Sequence, residues 1–250
     1  DPEKMMQTNI AGTQNILKAA AKCGVEKIIY TSSVAALGNS ASGNLVDENT
    51  PSKLEDKIGT YKQSKFLAEA KVIEMHKRLG LPVVIVNPSA PIGPGDIKPT
   101  PTGKLVIQAA SGKIPAYVDS GLNIVHVDDV AEGHYLALKN GRNGEKYILG
   151  GVNLSFLEIL TIIANIVGKS KPLFKIPYTV ALPIAHLVDI WAKYFFVTEP
   201  FITVDGVKMS RKPMYYSSQK AIKELGYCSR PVGEAFSDAI NWYKSHGYIK

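Results

Sequence analysis

Apolar residues in the first segment, from about Pro2 to Ala21, recur at Met6, Ile10, Ile16, Leu17 and Ala20. That spacing puts them on one face of a helix, which Gly24 ends. Lys27 to Thr31 is instead a short β-rich run, and it closes on three hydroxyls, Thr31, Ser32 and Ser33. Gly38 to Asn44, rich in Gly, Ser and Asn, reads as a loop. Tyr61 to Leu79 predicts a second helix with Phe66, Ala70 and Ile73 inward and Gly80 at its end. Leu81 to Asn87, LPVVIVN, is continuously apolar, the pattern of a strand covered on both faces of a parallel sheet. Helix and strand thus alternate, with polar residues at the carboxyl end of each strand. This predicts an α/β fold with a doubly wound parallel sheet, in which ligands gather at those carboxyl ends.

The texture changes after Asn87. PSAPIGPGDIKPTPTG, residues 88–103, is dense in Pro and Gly and predicts a loop leaving the sheet. A helix near Lys104 to Ala110, a strand at Asn123 to Val127, a helix from Asp128 and a strand at Glu145 to Gly151 follow. Ser155 and Glu158 have the spacing of a capping box ahead of an apolar helix ending at Gly168. Lys171 to Lys250 reads as mostly helical. The expected division is an α/β domain over residues 1–91 and 122–149, with a smaller, mostly helical substrate lobe over 92–121 and 150–250.

Composition narrows the function classes. The chain has 250 residues, enough for a full core, with a formal charge of +7 but no block of like charges. Nucleic acid is therefore not an expected partner; a basic surface suited to an anionic small molecule is. Cys23 and Cys228 lie far apart, which points to a reducing, cytoplasmic compartment rather than a disulfide framework. His76, His126, His134, His186 and His246 are scattered at no ligand spacing, so no metal site is expected. No signal peptide is read at the opening of the chain. The most apolar stretch, Ile176 to Val197, is interrupted by Pro177, Pro183, His186, Asp189 and Lys193. It predicts a buried or interfacial helix beside a greasy ligand, with no stable membrane insertion.

The candidate chemistry starts from Tyr61 and Lys65, four apart on one helical face. A tyrosine titrates near 10, too high for a base at neutral pH, and a neighbouring ammonium favours the phenolate. Such a pair can pass a proton to or from an alcohol while hydride moves. A serine hydroxyl aimed at the same oxygen would hold it. The spacing alone is common: Tyr135 with Lys139 and Tyr216 with Lys220 share it. The first pair stands apart because it lies between two strands, downstream of the run ending in Thr31, Ser32 and Ser33.

TSSVAALG, then YKQSK, NPSAPIGPGD and HVDDVAEGH together resemble the extended short-chain dehydrogenases, the NAD-dependent epimerase/dehydratase family. The wording NPSAPIGPGDIKPTPTG is most similar to the hopanoid-associated sugar epimerases, with dihydroflavonol 4-reductase-like and 3β-hydroxysteroid dehydrogenase-like proteins as neighbours. The resemblance implies NAD or NADP as cofactor and a partial dinucleotide-binding domain over 1–91 and 122–149. It implies that Ser33 orients the substrate oxygen, Tyr61 is the acid/base, and Lys65 holds the nicotinamide ribose and tunes Tyr61. Ser32, Pro88 and Ser89 would also meet the cofactor, and a homodimer is a family expectation. Asn9, in TNIAGT, matches a family asparagine, with repair of a helix bend as the alternative reading. Asp128 and Asp129 are expected to cap the helix they open, and Lys208 and Arg211 would meet a diphosphate if the substrate is a sugar nucleotide.

The family's GxxGxxG turn is absent from this sequence. The expectation is therefore a chain without the first βα units, which keeps the catalytic residues, has lost most of its cofactor grip, and is inactive alone. Two function classes follow. The first is a hydride-transferring enzyme acting on a sugar nucleotide or related polyol, or in its second form reducing a ketone on a hydrophobic substrate. The other is a non-catalytic NAD(P)-binding regulatory protein, for which a tuned phenol has no use.

Overall fold

The computed structural model describes residues 1–38, 45–170, 174–194 and 204–249. The expected loop at Gly38 to Asn44 lies outside them from residue 39 on, as do 171–173 and the end of the apolar stretch at 195–197. The elements run α1 (Pro2–Cys23), β1 (Ile28–Thr31), α2 (Thr60–Leu79), β2 (Val83–Pro88), β3 (Ala90–Ile92), α3 (Pro101–Ala110), β4 (Ala116–Val118), β5 (Gly121–His126) and α4 (Val127–Asn140). They continue with β6 (Lys146–Leu149), β7 (Val152–Ser155), α5 (Phe156–Val167), β8 (Phe174–Ile176), α6 (Tyr178–Tyr194), α7 (Val204–Ser210), α8 (Gln219–Leu225) and α9 (Val232–Ser245). The strands order as β1-β2-β6, β3-β5-β7 and β4-β8. The chain divides into two units: residues 1–91, 123–152 and 216–232, and residues 92–122, 153–215 and 233–250.

In the first unit β2 is central and parallel to both neighbours, with Ile28 opposite Val83 and Ile85 opposite Lys146. Successive side chains of a strand point to opposite faces. Val83 and Ile85 therefore enter a core with Leu17 of α1 and Val72 and Met75 of α2. Val84 and Val86 enter another with Val130 and Ala137 of α4 and Ala221 and Leu225 of α8. Helices cover both faces, which is why the LPVVIVN run shows no alternation. On the α4 side the fit depends on Gly133, where a Cβ would sit 2.7 Å from Leu149 Cδ2.

Three expectations are corrected here. Residues 216–232 belong to the first unit rather than to the lobe expected over 150–250, because Ala221, Leu225 and Tyr227 fill the core under α4 and β6. The inward face of α2 is Ser64, Ala68, Glu69, Val72 and Met75, with the expected Ile73 half-buried against the same core, Phe66 half-buried, and Ala70 exposed. Two of those inward positions are polar but hydrogen-bonded, so an apolar template misses them. On α1 only Leu17 is buried, and Ile16 is 70% exposed.

The second unit has its own core. The expected capping box is present: Ser155 Oγ accepts from the Glu158 N–H while the Glu158 carboxylate accepts from the Ser155 N–H. The Pro/Gly stretch is not wholly loop, since Ala90–Ile92 is a strand and Pro101 opens α3 behind the cap Thr100. Asp96 accepts from Thr100 and from the Tyr243 hydroxyl at 2.7 Å, pinning that stretch to α9.

Candidate active site

All the residues of the candidate site lie within residues 1–91 of the first unit. The ladder between β1 and β2 continues past Thr31, because the Ser32 N–H donates to the Val86 carbonyl. The chain then turns into a short 3-10 segment, Val34–Ala36, capped by Ser33. Ser33 Oγ accepts the Ala35 N–H at 3.1 Å, and its carbonyl accepts from Asn87 Nδ2 at 3.0 Å. A hydroxyl that accepts one N–H still has its own proton to donate. Ser33 is thus fixed at both ends of its residue while its O–H remains available.

Tyr61 stands in the first turn of α2, launched by Gly59 at φ 83 and ψ 151, a conformation essentially restricted to glycine. The Tyr61 side chain is half exposed. One turn on, Lys65 is partly buried, and burial lowers its pKa against the opposing pull of Glu69. Another turn on is Glu69 itself, buried at 4% exposure, so Tyr61, Lys65 and Glu69 share one face. The Glu69 carboxylate accepts from Ser32 Oγ at 2.5 Å and from Asn87 Nδ2 at 2.7 Å, with Lys146 Nζ at 3.4 Å. One buried anion thereby ties the helix bearing Tyr61 and Lys65 to the ends of β1 and β2 and to β6.

A second tie comes from the other side of α2. Asn9 Nδ2 donates to Ser64 Oγ at 2.8 Å, and Ser64 Oγ donates to the Tyr61 carbonyl at 2.9 Å. Asn9 therefore links α1 to the turn that carries Tyr61, which is more than the repair of a bend in its own helix.

Of the residues expected to meet a cofactor, Ser32 is buried with its hydroxyl on Glu69, Pro88 is the last residue of β2, and Ser89 follows it directly. Ser89 Oγ and Asn87 Oδ1 are buried with no hydrogen-bond partner. A buried polar atom left unpaired costs on the order of 1–3 kcal/mol. Polar edges of a ligand at the mouth of β2 would satisfy both, and the carboxamide of a nicotinamide carries the donors and the acceptor to do so. The residues present fit the cofactor class expected.

Sequence reasoning missed Glu69, Asn87, Ser64 and Lys57. Glu69 had a signal, since it repeats the Tyr61-to-Lys65 spacing once more. The other Tyr–Lys spacings are ordinary. Lys139 Nζ lies 4.4 Å over the exposed Tyr135 ring, and Lys220 pairs with Glu145 while Tyr216 is buried outside any helix. The cap of α4 is a correction: His126 Nδ1 accepts the Asp128 N–H, and Asp129 instead accepts from Arg230 Nε at 2.7 Å. His126 precedes the helix and reaches its free N–H first, which leaves Asp129 for the loop behind. Lys208 and Arg211 are exposed residues of the second unit, the Arg211 guanidinium 5.8 Å from the Tyr178 ring centre. Among the described residues no group of three or more His, Cys, Asp or Glu could hold a metal.

Comparison with known proteins decides the family. The chain matches the NAD dependent epimerase/dehydratase family over residues 1–150. It belongs to that family. Membership makes NAD or NADP the cofactor class and oxidoreductase chemistry the general activity. Like the family's solved members, it has the Rossmann-like α/β fold. A putative dihydroflavonol 4-reductase of Synechocystis is 42% identical, across all of this chain and 74% of the relative. Sterol demethylase protein B of Methylococcus capsulatus is 30% identical, across all of this chain and 76% of the relative. The crystal structure of gox2253 superposes with a TM-score of 0.88 at 50% identity, over all of this chain and 76% of that one. PA4631, a nucleoside-diphosphate-sugar epimerase from Pseudomonas aeruginosa, gives 0.83 at 25% identity, over 99% of this chain and 76% of that one.

Lys57 adds a pH dependence to this family member. Its side chain is buried, Nζ donates to the Leu37 carbonyl, and burial, with the charge of Lys62 second, pushes its pKa down to about 8. A lysine with a folded pKa below its unfolded one binds fewer protons when folded between the two values. Stability therefore rises with pH across that interval and is lowest where the ammonium is charged in both states. The expected result is a midpoint of urea unfolding that rises from about pH 8 to about pH 10, above which the buried tyrosines, raised in the fold, reverse the trend. Lys57→Met should flatten most of that rise; an unchanged slope would move its origin to another group.

Proposed function

We propose that the protein transfers hydride between a nicotinamide cofactor and a secondary alcohol or ketone, with Tyr61 as the acid/base. The observation that carries this is the single face of α2 on which Tyr61, the partly buried Lys65 and the buried Glu69 follow one another, with Ser33 fixed by its cap and by Asn87. When bound, the cofactor supplies or accepts the hydride. In the direction of reduction, Ser33 donates to the carbonyl oxygen and holds it, and Tyr61 gives that oxygen its phenolic proton. The phenolate left on Tyr61 is stabilised by the Lys65 ammonium, whose charge a partly buried site makes more effective. Proton and hydride together convert the ketone to the alcohol, and the reverse sequence oxidises it. Lys65 and Ser89 are the residues that would hold the cofactor, with Pro88 beside its ring.

For the substrate, reduction of a ketone on a hydrophobic molecule is the first reading. It is supported by the relatives at 42% and 30% identity, named for a dihydroflavonol and for a sterol. A sugar nucleotide is the second, supported by the likeness to PA4631. The purified chain, by itself and with a GxxGxxG-bearing βα unit of the family fused ahead of it, is to be titrated with NADH and NADPH by nicotinamide fluorescence, then assayed with a flavonoid or steroid ketone and with a nucleotide sugar. Net consumption of reduced cofactor with the ketone is the expected result for the fused protein, with no turnover by the 250 residues alone. An epimer formed without net consumption would establish the second reading, and absence of both binding and turnover in the fused protein would refute hydride transfer.

A further inference from the structure

In the second unit, α6 has two faces of different fate. Ala181 and Ala185 turn inward, into a cluster with Val204 and Val207 of α7. Val180, Ile184, Leu187 and Trp191, spaced four, three and four apart, lie on the opposite face together with Ile190. That face is exposed: Leu187 is 68% and Trp191 55% accessible, and Phe174, just before the helix, is 69% accessible. A water-facing helix ordinarily carries polar residues on its outer side, so this one is built the wrong way round for bulk solvent.

The charges beside it have one sign in excess. Among the described side chains of residues 174–213, Lys208, Arg211 and Lys212 stand against Asp205, while Lys175 is paired with Asp119 at 2.6 Å. Lys208, Arg211 and Lys212 are exposed on and just after α7, the helix packed on α6, and Arg211 sits over Tyr178 in the first turn of α6. The whole chain carries +7. With 17 residues α6 is about 26 Å long, short of the roughly 30 Å of a bilayer's hydrocarbon, and among the described residues no helix is long and apolar enough to cross a membrane. An exposed apolar stripe with a tryptophan, flanked by cations and too short to span, has the composition of a helix lying in the plane of a membrane interface.

We propose that α6 docks the protein on the surface of an anionic phospholipid bilayer. Val180, Ile184, Leu187, Ile190 and Trp191 enter the headgroup boundary, and Lys208, Arg211 and Lys212 face the lipid charge. The occupant is a bilayer and not a second copy of the chain, because two such stripes would bring two sets of cations together, whereas anionic lipid neutralises them.

The test is co-sedimentation of the 250-residue chain with phosphatidylcholine vesicles with and without phosphatidylglycerol, and the emission of Trp191 in a Trp242→Phe background, which leaves it the one tryptophan. Binding to the anionic vesicles with a blue shift of Trp191, weakened by salt, is expected. Leu187→Glu should weaken it by roughly tenfold or more, since a leucine's burial is lost and an anion is added. Lys208→Glu with Arg211→Glu should do the same without touching the stripe. Both variants leave the inward face of α6 intact, which circular dichroism checks. Failure to sediment, sedimentation unaffected by Leu187→Glu, or a dimer in solution that Leu187→Glu converts to monomer would each overturn the proposal.

Discussion

Tyr61→Phe is expected to lower turnover by roughly 100- to 10,000-fold, the usual worth of a positioned acid or base, with affinity for the reduced cofactor little changed. The substitution removes one oxygen from a side chain that is half exposed and belongs to neither core cluster of its unit. Neither the start of α2 nor the Asn9–Ser64 tie depends on that oxygen, since the tie reaches the Tyr61 carbonyl and not its hydroxyl. The unfolding midpoint should therefore stay where it is, and the loss should appear in kcat rather than in KM, because the proton is needed in the transition state and not for binding. Turnover within a few-fold of the parent would take Tyr61 out of the chemistry and favour a protein that binds the nucleotide without acting on it.

The largest effect on stability is expected at Glu69. Its carboxylate is buried and meets three donors: the Ser32 hydroxyl, the Asn87 amide and the Lys146 ammonium. Glu69→Leu fits the site with an apolar group but leaves the buried Ser32 hydroxyl and one N–H of the Asn87 amide, whose other N–H keeps the Ser33 carbonyl, unpaired, and a partly buried cation without its counter-charge. Removing one partner of a buried charged network costs about 3–5 kcal/mol, because the groups left behind keep their desolvation penalty. Glu69→Gln keeps an acceptor for Ser32 or Asn87 and should lose less, on the order of 1–3 kcal/mol. Urea unfolding followed by circular dichroism gives both values. Equal costs for the two variants would mean that the volume of the side chain matters and its oxygens do not. A loss of turnover in Glu69→Gln at retained stability would show that Glu69 also sets where Lys65 and the Ser33 turn stand.

Much of this protein was legible in its sequence because some signals are local. A run such as VVIV has no polar position to place in water, so it specifies a strand covered on both sides, and β2 is that strand. Ser155 and Glu158 satisfy each other's backbone within one turn, so their capping box forms wherever the helix lies. Tyr61 and Lys65 share a face by helical geometry alone. What only the tertiary structure decided depends on partners distant in the chain. Glu69 reads as one more surface glutamate on α2 until Ser32, Asn87 and Lys146 close on it from three strand ends. Residues 216–232 read as part of a helical lobe until Ala221 and Leu225 are found filling the core beneath α4. The outer face of α6 is apolar in the sequence whether it is buried or bare. Periodicity fixes which residues share a face, but what that face meets is set by contacts across the chain, and burial is the sum of those contacts.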